Sequence, residues 1–553
     1  MANLSFFYIF FTSLMTSVIL IPPISRLSVR VGGMDTPDER KVHNNEIPRL
    51  GGIAIFCAFL FSVLFFIDID RQLKGFMAGA VVIFLTGLAD DLTGLRPRHK
   101  CAGEILAACV AVISGGIALT TLGNPLGFGD IQLGYLAIPF TVFAVVGVMN
   151  AVNLIDGLDG LAGGTSAVAC LAFGILAWRT GNDTLLVLLV ALLGAIIGFL
   201  RYNTYPAKIF MGDAGSLFLG YCMALFPILL LNHAGGQVSP VTPLMILGVP
   251  ILDTLVVMGG RIMRGKSISS PDKTHIHHRL MELGVSHRFS VLFIYGWAYT
   301  LAFTALVIHR TSDATQFCAL LAFCAALYAL LQGLSHLQSL PLFASLKDSN
   351  PLRQAETHRT IVQYSQNLLV VVKYLLLLVL ALAIFVNPKY PTAIAWTIGL
   401  LLLGVPLAWL FGGIGENPLL KAAIYCSGLV SIFIIENYGR QDAISGINLL
   451  WISHALFALL LVVVGGKVLL RNRAGQLITS PFEYLILFVV VAVPLLPREF
   501  TTEFHLMSVA AKSIVMFVAY KLILMRQTRS NRKIIVATCI SLLALLVRFG
   551  LLQ

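Results

Sequence analysis

Charge is what this sequence has least of. Asp, Glu, Lys and Arg make up 12% of its 553 residues, where an ordinary soluble domain carries about 25%. Patterned cysteine is missing too. The nine cysteines are scattered, mostly inside apolar runs, with no CxxC, so they read as small apolar fillers and not as a disulfide or metal framework. There is no HExxH, and the histidines of "HIHH" (275–278) have no cysteine partners, which argues against a zinc site. No small-residue cleavage site follows the first apolar run, 4–21. That run is therefore expected to be a retained span and not a signal peptide. Short alternating segments of the kind a membrane barrel needs are absent as well.

What fills the chain is apolar. Hydrophobic residues make up 58% and the mean hydropathy is +0.88. Runs of about 20 apolar residues, enough for a helix to cross some 30 Å of hydrocarbon, recur from end to end. The expected fold class is an all-α polytopic integral membrane protein. About 18 spans are expected: about 11 over residues 1–335, then a polar linker over 336–365, then about 7 over 366–553. No internal repeat relates the two parts. The formal net charge of +12 does not require a nucleic-acid partner. Roughly 28 of the 38 Lys and Arg fall in one set of alternate loops and about 7 in the other, the asymmetry of a polytopic membrane protein. The basic loops are placed in the cytoplasm, and both termini outside.

Every conspicuous polar cluster falls on that basic side. They are "DERKVHNNEIPRLGG" (38–52), "ADDLTGLRPRHK" (89–100), "NAVNLIDGLDG" (150–160), "RYNTYPAKIFMGDAGS" (201–216) and "SPDKTHIHHRLMELG" (270–284). Asp90, Asp91, Asn153, Asp156, Asp159 and Asp213 supply five carboxylates and one amide oxygen. Such hard oxygens suit Mg²⁺, which takes one or two carboxylates plus substrate phosphates. Asn153, Asp156 and Asp159 are spaced three apart, so on a helix neighbouring pairs would share a face. Gly157 and Gly160 would let a ligand approach the backbone. A helix opening at "GDAGS" would aim free N–H groups at an anion. Lys41, Arg49, His275, His277, His278 and Arg279 can pair with a pyrophosphate. Together these groups read as phosphoryl transfer. Each motif alone admits a plainer reading, as a solvated helix end, a Gly-rich turn or an N-cap. Their segregation to one side is what favours a site for a soluble substrate.

In these motifs the chain resembles the polyprenyl-phosphate N-acetylhexosamine-1-phosphate transferases (glycosyltransferase family 4). "RKVHNNEIPRLGG", "ADDLTGL", "NAVNLIDGLDGLAGG", "FMGDAGSLFLG" and "DKTHIHHRLMELG" occur in order, within residues 1–335. The resemblance implies a transfer of N-acetylhexosamine-1-phosphate from a UDP-sugar to undecaprenyl phosphate, giving a polyprenyl-pyrophosphoryl-sugar and UMP. It implies Mg²⁺, with Mn²⁺ as a substitute, and a homodimer in the bacterial inner membrane with its active site facing the cytoplasm. It implies Asn153 and Asp213 as metal contacts, and Asp90, Asp91, Asp156 and Asp159 as catalytic or substrate carboxylates. His275, His277, His278, Arg279, Lys41 and Arg49 are implied as substrate contacts.

The phospho-MurNAc-pentapeptide transferases of peptidoglycan synthesis carry consecutive histidines followed by Glu. "HIHHR" is more similar to the GlcNAc-1-phosphate branch that starts O-antigen, common-antigen or teichoic-acid glycans. A transporter or lipid flippase is the reading from another class. It would place its ionisable groups near the bilayer midplane, not at span ends on one face. Residues 366–553 match nothing in the resemblance. Glu416, Glu436, Asp442, Glu483, Glu499 and Glu503 are expected there to stand singly near loops.

Overall fold

In hydrocarbon every backbone N–H and C=O must find a partner within its own segment, so apolar runs of this length become helices. The computed structural model describes residues 2–35, 46–68, 70–265, 275–338, 356–386, 392–412, 418–439, 443–444, 447–472, 502, 505–524 and 530–551. Nine helices among the described residues are long and apolar enough to cross a membrane, alongside shorter apolar helices. The chain is a polytopic all-α membrane protein. It divides into two compact units, the first formed by 1–347 with 480–489 and the second by 348–479 with 490–553.

The first unit runs α1 (Ala2–Val31), a two-stranded antiparallel pair β1 (Met34–Asp35) and β2 (Ile47–Pro48), α2 (Gly51–Phe66), α3 (Arg71–Thr93), α4 (Pro97–Cys109), α5 (Ala137–Ile155), α6 (Leu161–Arg179), α7 (Asp183–Asn203), α8 (Gly212–Ala234), α9 (Val241–Ile246), α10 (Gly248–Met263), α11 (Ile276–Glu282), α12 (His287–Ile308) and α13 (Asp313–Gln338). A π-helical turn, Val110–Ser114, continues α4. Helix ends follow local chemistry. The Asp70 side chain accepts from Leu73 N–H to open α3, Gly94 closes it in the left-handed region, and Pro97 stands at the start of α4.

Helix α8 is the axis of this unit. It packs against α2, α3, α5 and α6, and Leu217, Phe218, Tyr221 and Phe226 are fully buried. Small residues let the neighbours close on its first turn. A Cβ at Gly52 would fall 2.2 Å from the Gly215 nitrogen, and one at Gly87 would fall 2.5 Å from the Asp213 carbonyl oxygen. The ends of α2, α3 and α8 are thus held together where the polar motifs lie. The polar stretch expected as a linker over 336–365 is helical at both ends: α13 extends to Gln338 and the next helix begins at Glu356. A helix satisfies its own backbone, so it can run past the apolar stretch.

The second unit contains α14 (Glu356–Ile384), α15 (Thr392–Gly412), α16 (Pro418–Tyr438), a short hairpin β3 (Ala443–Ile444) with β4 (Ile447–Asn448), α17 (Leu449–Asn472), α18 (Leu506–Leu524) and α19 (Ser530–Leu551). Its core includes Val372, Leu376, Ile424, Leu460, Ala519 and Ile534. Glu436 differs from expectation. It is not a solitary loop residue but a buried partner of Lys512, joining α16 to α18. The Lys512 Nζ also donates to Ser453 Oγ on α17 at 2.8 Å and lies 5.3 Å from the Phe457 ring centroid. An ionisable pair in an apolar bundle survives only when both charges are met in this way.

Removing one partner leaves a bare buried charge, at a cost of about 3–5 kcal/mol. Lys512→Met should therefore lower the unfolding temperature in detergent sharply. The double variant Lys512→Met with Glu436→Gln should recover most of the loss. Equal Tm for the single variant and the parent would show that the pair does not hold the bundle.

Candidate functional site

The site is assembled by backbone pairing between two motifs far apart in sequence. The β1–β2 pair directs the chain into Arg49, whose N–H donates to the Gly33 carbonyl at 3.0 Å. The following residues then pair with 210–211. Phe210 N–H donates to the Pro48 carbonyl at 2.7 Å, Gly51 N–H to the Phe210 carbonyl at 2.9 Å and Gly52 N–H to the Met211 carbonyl at 2.8 Å. This docks "RLGG" on "FMGDAGS". At the junction Gly212 has φ +68°, and a Cβ there would fall 2.2 Å from the Arg49 carbonyl oxygen and 2.5 Å from the Asp91 carboxylate. Only glycine fits, on backbone angle and on space alike.

Asp91 is the fastening. Its two oxygens accept from the N–H groups of Asp213 and Ala214, each at 2.9 Å. Its own carbonyl accepts from the Arg49 guanidinium. The free N–H groups of the first turn of α8 are met within the protein, by the 2% exposed Asp91, whose pKa burial pushes up to about 7 against those two bonds. Asp91 was expected among the catalytic carboxylates. Its oxygens are instead committed to capping a helix.

Asp90 and Asp213 face each other across Lys100, from the first turn of α4. The ammonium lies 3.1 Å from Asp90 Oδ2 and 2.5 Å from Asp213 Oδ1. Asp90 Oδ1 accepts from Leu95 N–H at 2.7 Å. Burial disfavours the Lys100 ammonium, but the carboxylates of Asp213 and Asp90 outweigh it and raise the pKa above the ordinary lysine value. Asn153, on the last turn of α5, accepts from Ser216 Oγ at 2.6 Å, which ties "NLIDGLDG" to "GDAGS".

The expectation that Asn153, Asp156 and Asp159 share a helix face holds only at its start. Helix α5 ends at Ile155, so Asp156 is its C-cap and Asp159 lies in the following loop. Asp159 Oδ2 accepts from Ala207 N–H at 2.8 Å, and the Asp159 N–H donates to His287 Nε2 at 3.1 Å. Among the described residues no hydrogen-bond donor reaches the Asp156 carboxyl. Burial, followed by the charges of Asp213, Asp159 and Asp91, pushes its pKa up to about 7.

The histidine motif reaches this loop through His277. A Cβ at Gly157 would fall 2.4 Å from His277 Nε2. His277 is 2% exposed, its Nδ1 is buried without a hydrogen-bond partner, and its ring centroid lies 4.2 Å from that of His278. Burial, with His278 beside it, pushes its pKa down to about 3, so it is neutral at physiological pH. His275 was expected to meet substrate. Its Nδ1 is instead 2.8 Å from Asp253 Oδ2, while Asp253 Oδ1 accepts from Ile276 N–H at 2.8 Å. Arg279 lies one turn along α11 and makes no ion pair with the acidic cluster among the described residues. Lys41 falls outside the described residues.

Three contributors escaped the sequence reading as site residues. Lys100 was counted only as a topology signal, although Gly94 and Pro97 around it mark a helix break that would place it beside Asp90. Asp253, a lone carboxylate in "PILDTLVV", could have been flagged by the cost of an acid in an apolar helix. Glu104, 2% exposed, accepts from Asn150 Nδ2 at 2.5 Å and fixes α4 to α5.

Comparison with known proteins gives the following. Residues 73–231 match the model for glycosyl transferase family 4. A Bacillus subtilis protein named as a probable undecaprenyl-phosphate N-acetylglucosaminyl 1-phosphate transferase is 40% identical over 300 residues, 54% of this chain and 84% of its own length. An undecaprenyl-phosphate alpha-N-acetylglucosaminyl 1-phosphate transferase of Haemophilus influenzae is 34% identical, over 53% of this chain and 82% of its own. A decaprenyl-phosphate N-acetylglucosaminephosphotransferase of Mycobacterium tuberculosis is 36% identical, over 51% and 77%.

Lys100→Met should lower Tm by removing the one cation between two carboxylates. The cost should be about 2 kcal/mol, below the ~3–5 of a fully buried pair because these side chains keep some solvent contact. Adding Asp90→Asn and Asp213→Asn should restore most of it; no recovery would mean that the lysine acts by packing. Asp156 gives a pH signature. Its raised folded-state pKa means that stability is lost as pH rises from the unfolded carboxyl pKa, about 4, through 7. Asp156→Asn removes that loss. In metal-free detergent its Tm advantage over the parent should be small at pH 5 and wider at pH 8. A gap independent of pH would contradict the assignment.

Proposed function

Because the chain belongs to glycosyl transferase family 4, we propose that it transfers GlcNAc-1-phosphate from UDP-GlcNAc to undecaprenyl phosphate. An oxygen of the lipid phosphate attacks the donor's sugar-bearing phosphorus. The bond to the UMP phosphate breaks, and UMP leaves. The product starts a cell-envelope glycan, and the site faces the cytoplasm of a bacterial inner membrane. The observation that carries the reading is the convergence of Asp90, Lys100, Asn153, Asp156 and Asp213 at one end of the helices, beside a neutral buried His277. The names of the similar proteins supply the lipid and the sugar.

The donor set suits magnesium. No group of three or more His, Cys, Asp and Glu among the described residues could cage a metal by itself. Magnesium needs only one or two carboxylates when phosphates and waters complete its shell. Asp213 and Asn153 would hold it, with Asp156 close by. Burial is the main cause of the raised Asp156 pKa, and the repulsion from Asp213, Asp159 and Asp91 that adds to it is of the kind a divalent cation relieves. When bound, the ion neutralises charge on the donor's pyrophosphate. Manganese would serve as a substitute. Lys100 offers a point positive charge to the phosphates, and Asp90 orients it. The Asp91 cap keeps Asp213 in place, and phosphoryl transfer rewards such positioning above all. His277, being neutral, can donate or accept a hydrogen bond to the donor without adding charge.

UMP release from the detergent-solubilised full chain, supplied with Mg²⁺, undecaprenyl phosphate and a panel of UDP-sugars, tests the reading. Release should require the lipid, favour UDP-GlcNAc and stop in excess EDTA. Asp213→Ala should lower it by about a hundredfold or more, the order that losing a charge-stabilising group costs. Release with UDP-MurNAc-pentapeptide alone would move the protein to peptidoglycan synthesis. Turnover untouched by chelation would remove the metal.

A further inference from the structure

The acidic cluster is not the only polar concentration in the first unit. At the other end of the same helices lies a cavity of about 490 Å³, lined by the ends of α6 and α12, residues 236–239 and the start of α13. Helix α6 begins one residue after "NLIDGLDG" and ends at Arg179. Its 19 residues put the cavity about 28 Å from the acidic cluster along the helix axis, on the opposite membrane face.

The lining is basic on a face that has few basic residues. Only about 7 of the 38 Lys and Arg fall on the side opposite the basic loops, yet Arg179 and Arg310 both open into this one cavity, with His309 between them. Both arginines are exposed. His309 is 9% exposed, and its Nδ1 is anchored to the Leu306 carbonyl at 2.8 Å. Burial, together with the charges of Arg179 and Arg310, pushes its pKa down. The lining also holds one acid, Asp313, whose Oδ2 accepts from Asn124 N–H at 2.6 Å, and the Arg179 guanidinium donates to the Leu306 carbonyl at 3.4 Å. Gln237 and Ser239 complete the wall with neutral polar groups.

We propose that this cavity binds a phosphate-class anion at the membrane face opposite the acidic cluster, with Arg179 and Arg310 as its charge partners and Gln237 and Ser239 as hydrogen-bonding groups. Guanidinium groups match the planar, multi-oxygen geometry of phosphate better than any other side chain. The volume exceeds what a lone oxyanion fills, which leaves room for the glycerol of a lipid headgroup. A free phosphate and the headgroup of a lipid in that leaflet offer the same chemistry. The proposal does not depend on the transfer reaction, since none of these residues belongs to the acidic cluster.

Thermal unfolding of the full chain in detergent tests it, with inorganic phosphate and with a short-chain phosphatidic acid titrated separately. Chloride at matched ionic strength is the control. The parent should be stabilised, and Arg310→Gln should weaken the apparent affinity by about tenfold or more. Arg310→Lys should keep part of it. Arg310 is exposed, so the variants should fold, and UMP release can be followed in parallel to show that the distant site is intact. Stabilisation by both ligands would show that the phosphate group suffices. Stabilisation by the lipid alone would show that the headgroup is the source. Equal titrations in parent and Arg310→Gln, or no stabilisation by either ligand, would overturn the proposal.

Discussion

The first unit depends on a carboxylate buried where a helix begins. Asp91 spends both oxygens on the first N–H groups of α8, and its carbonyl holds the Arg49 guanidinium. Those N–H groups and the positive end of the helix favour the ionised carboxylate, against a burial that pushes its pKa up to about 7. More important is what they join. Three segments distant in sequence, ending α3, opening α2 and opening α8, share one fixing point. Gly212, Gly52 and Gly87 are required because backbones must meet there with no side chain between them. The position of Asp213, next to the capped nitrogen, follows directly from where Asp91 is.

Around that point the acids divide by whether the protein has already met their charge. Asp91, Asp159, Asp253 and Glu104 are committed: each accepts from named donors of neighbouring elements and holds a loop or helix in place. Among the described residues Asp156 accepts from no hydrogen-bond donor, and Asp213 meets the Lys100 ammonium through Oδ1 and has Asp90 beside it. The committed set makes the uncommitted set affordable, because elements fixed this firmly can hold like charges close together. Burial first, and then the neighbouring carboxylates, raise the Asp156 pKa to about 7. An acidic cluster with a lysine held between two of its carboxylates is poised for a polyanion that brings its own metal.

Much of this was legible in the sequence. Helices over the apolar runs, the clustering of polar motifs at one end and the family all follow from periodicity and motif order. The residue pairings were not. Nothing in the spacing of "ADDLTG" says which aspartate turns inward, since that depends on the rotation of α3 against α8. The even spacing of Asn153, Asp156 and Asp159 suggested one helical face, but Gly157 and Gly160 break the helix before the face can form. His275 and His277, two residues apart, look equivalent in "HIHH". One is tied to Asp253, 22 residues back on α10, and the other lies against Gly157. Glu436 was read as a loop residue because its partner Lys512 comes 76 residues later.

Why the cation between Asp90 and Asp213 is lysine follows from its shape. The two carboxylates approach Nζ from different helices, at 3.1 and 2.5 Å. A compact ammonium with three rotatable donors can serve both and still turn toward a third anion. A guanidinium would commit its planar fork to one carboxylate in a fixed geometry, and so would compete with a phosphate for position. At the opposite face the preference reverses. There two arginines, Arg179 and Arg310, line one cavity, and a rigid fork suits a ligand that is to be held and not transformed. The choice between lysine and arginine at the two ends of the same helices therefore follows the difference between moving a phosphoryl group and retaining one.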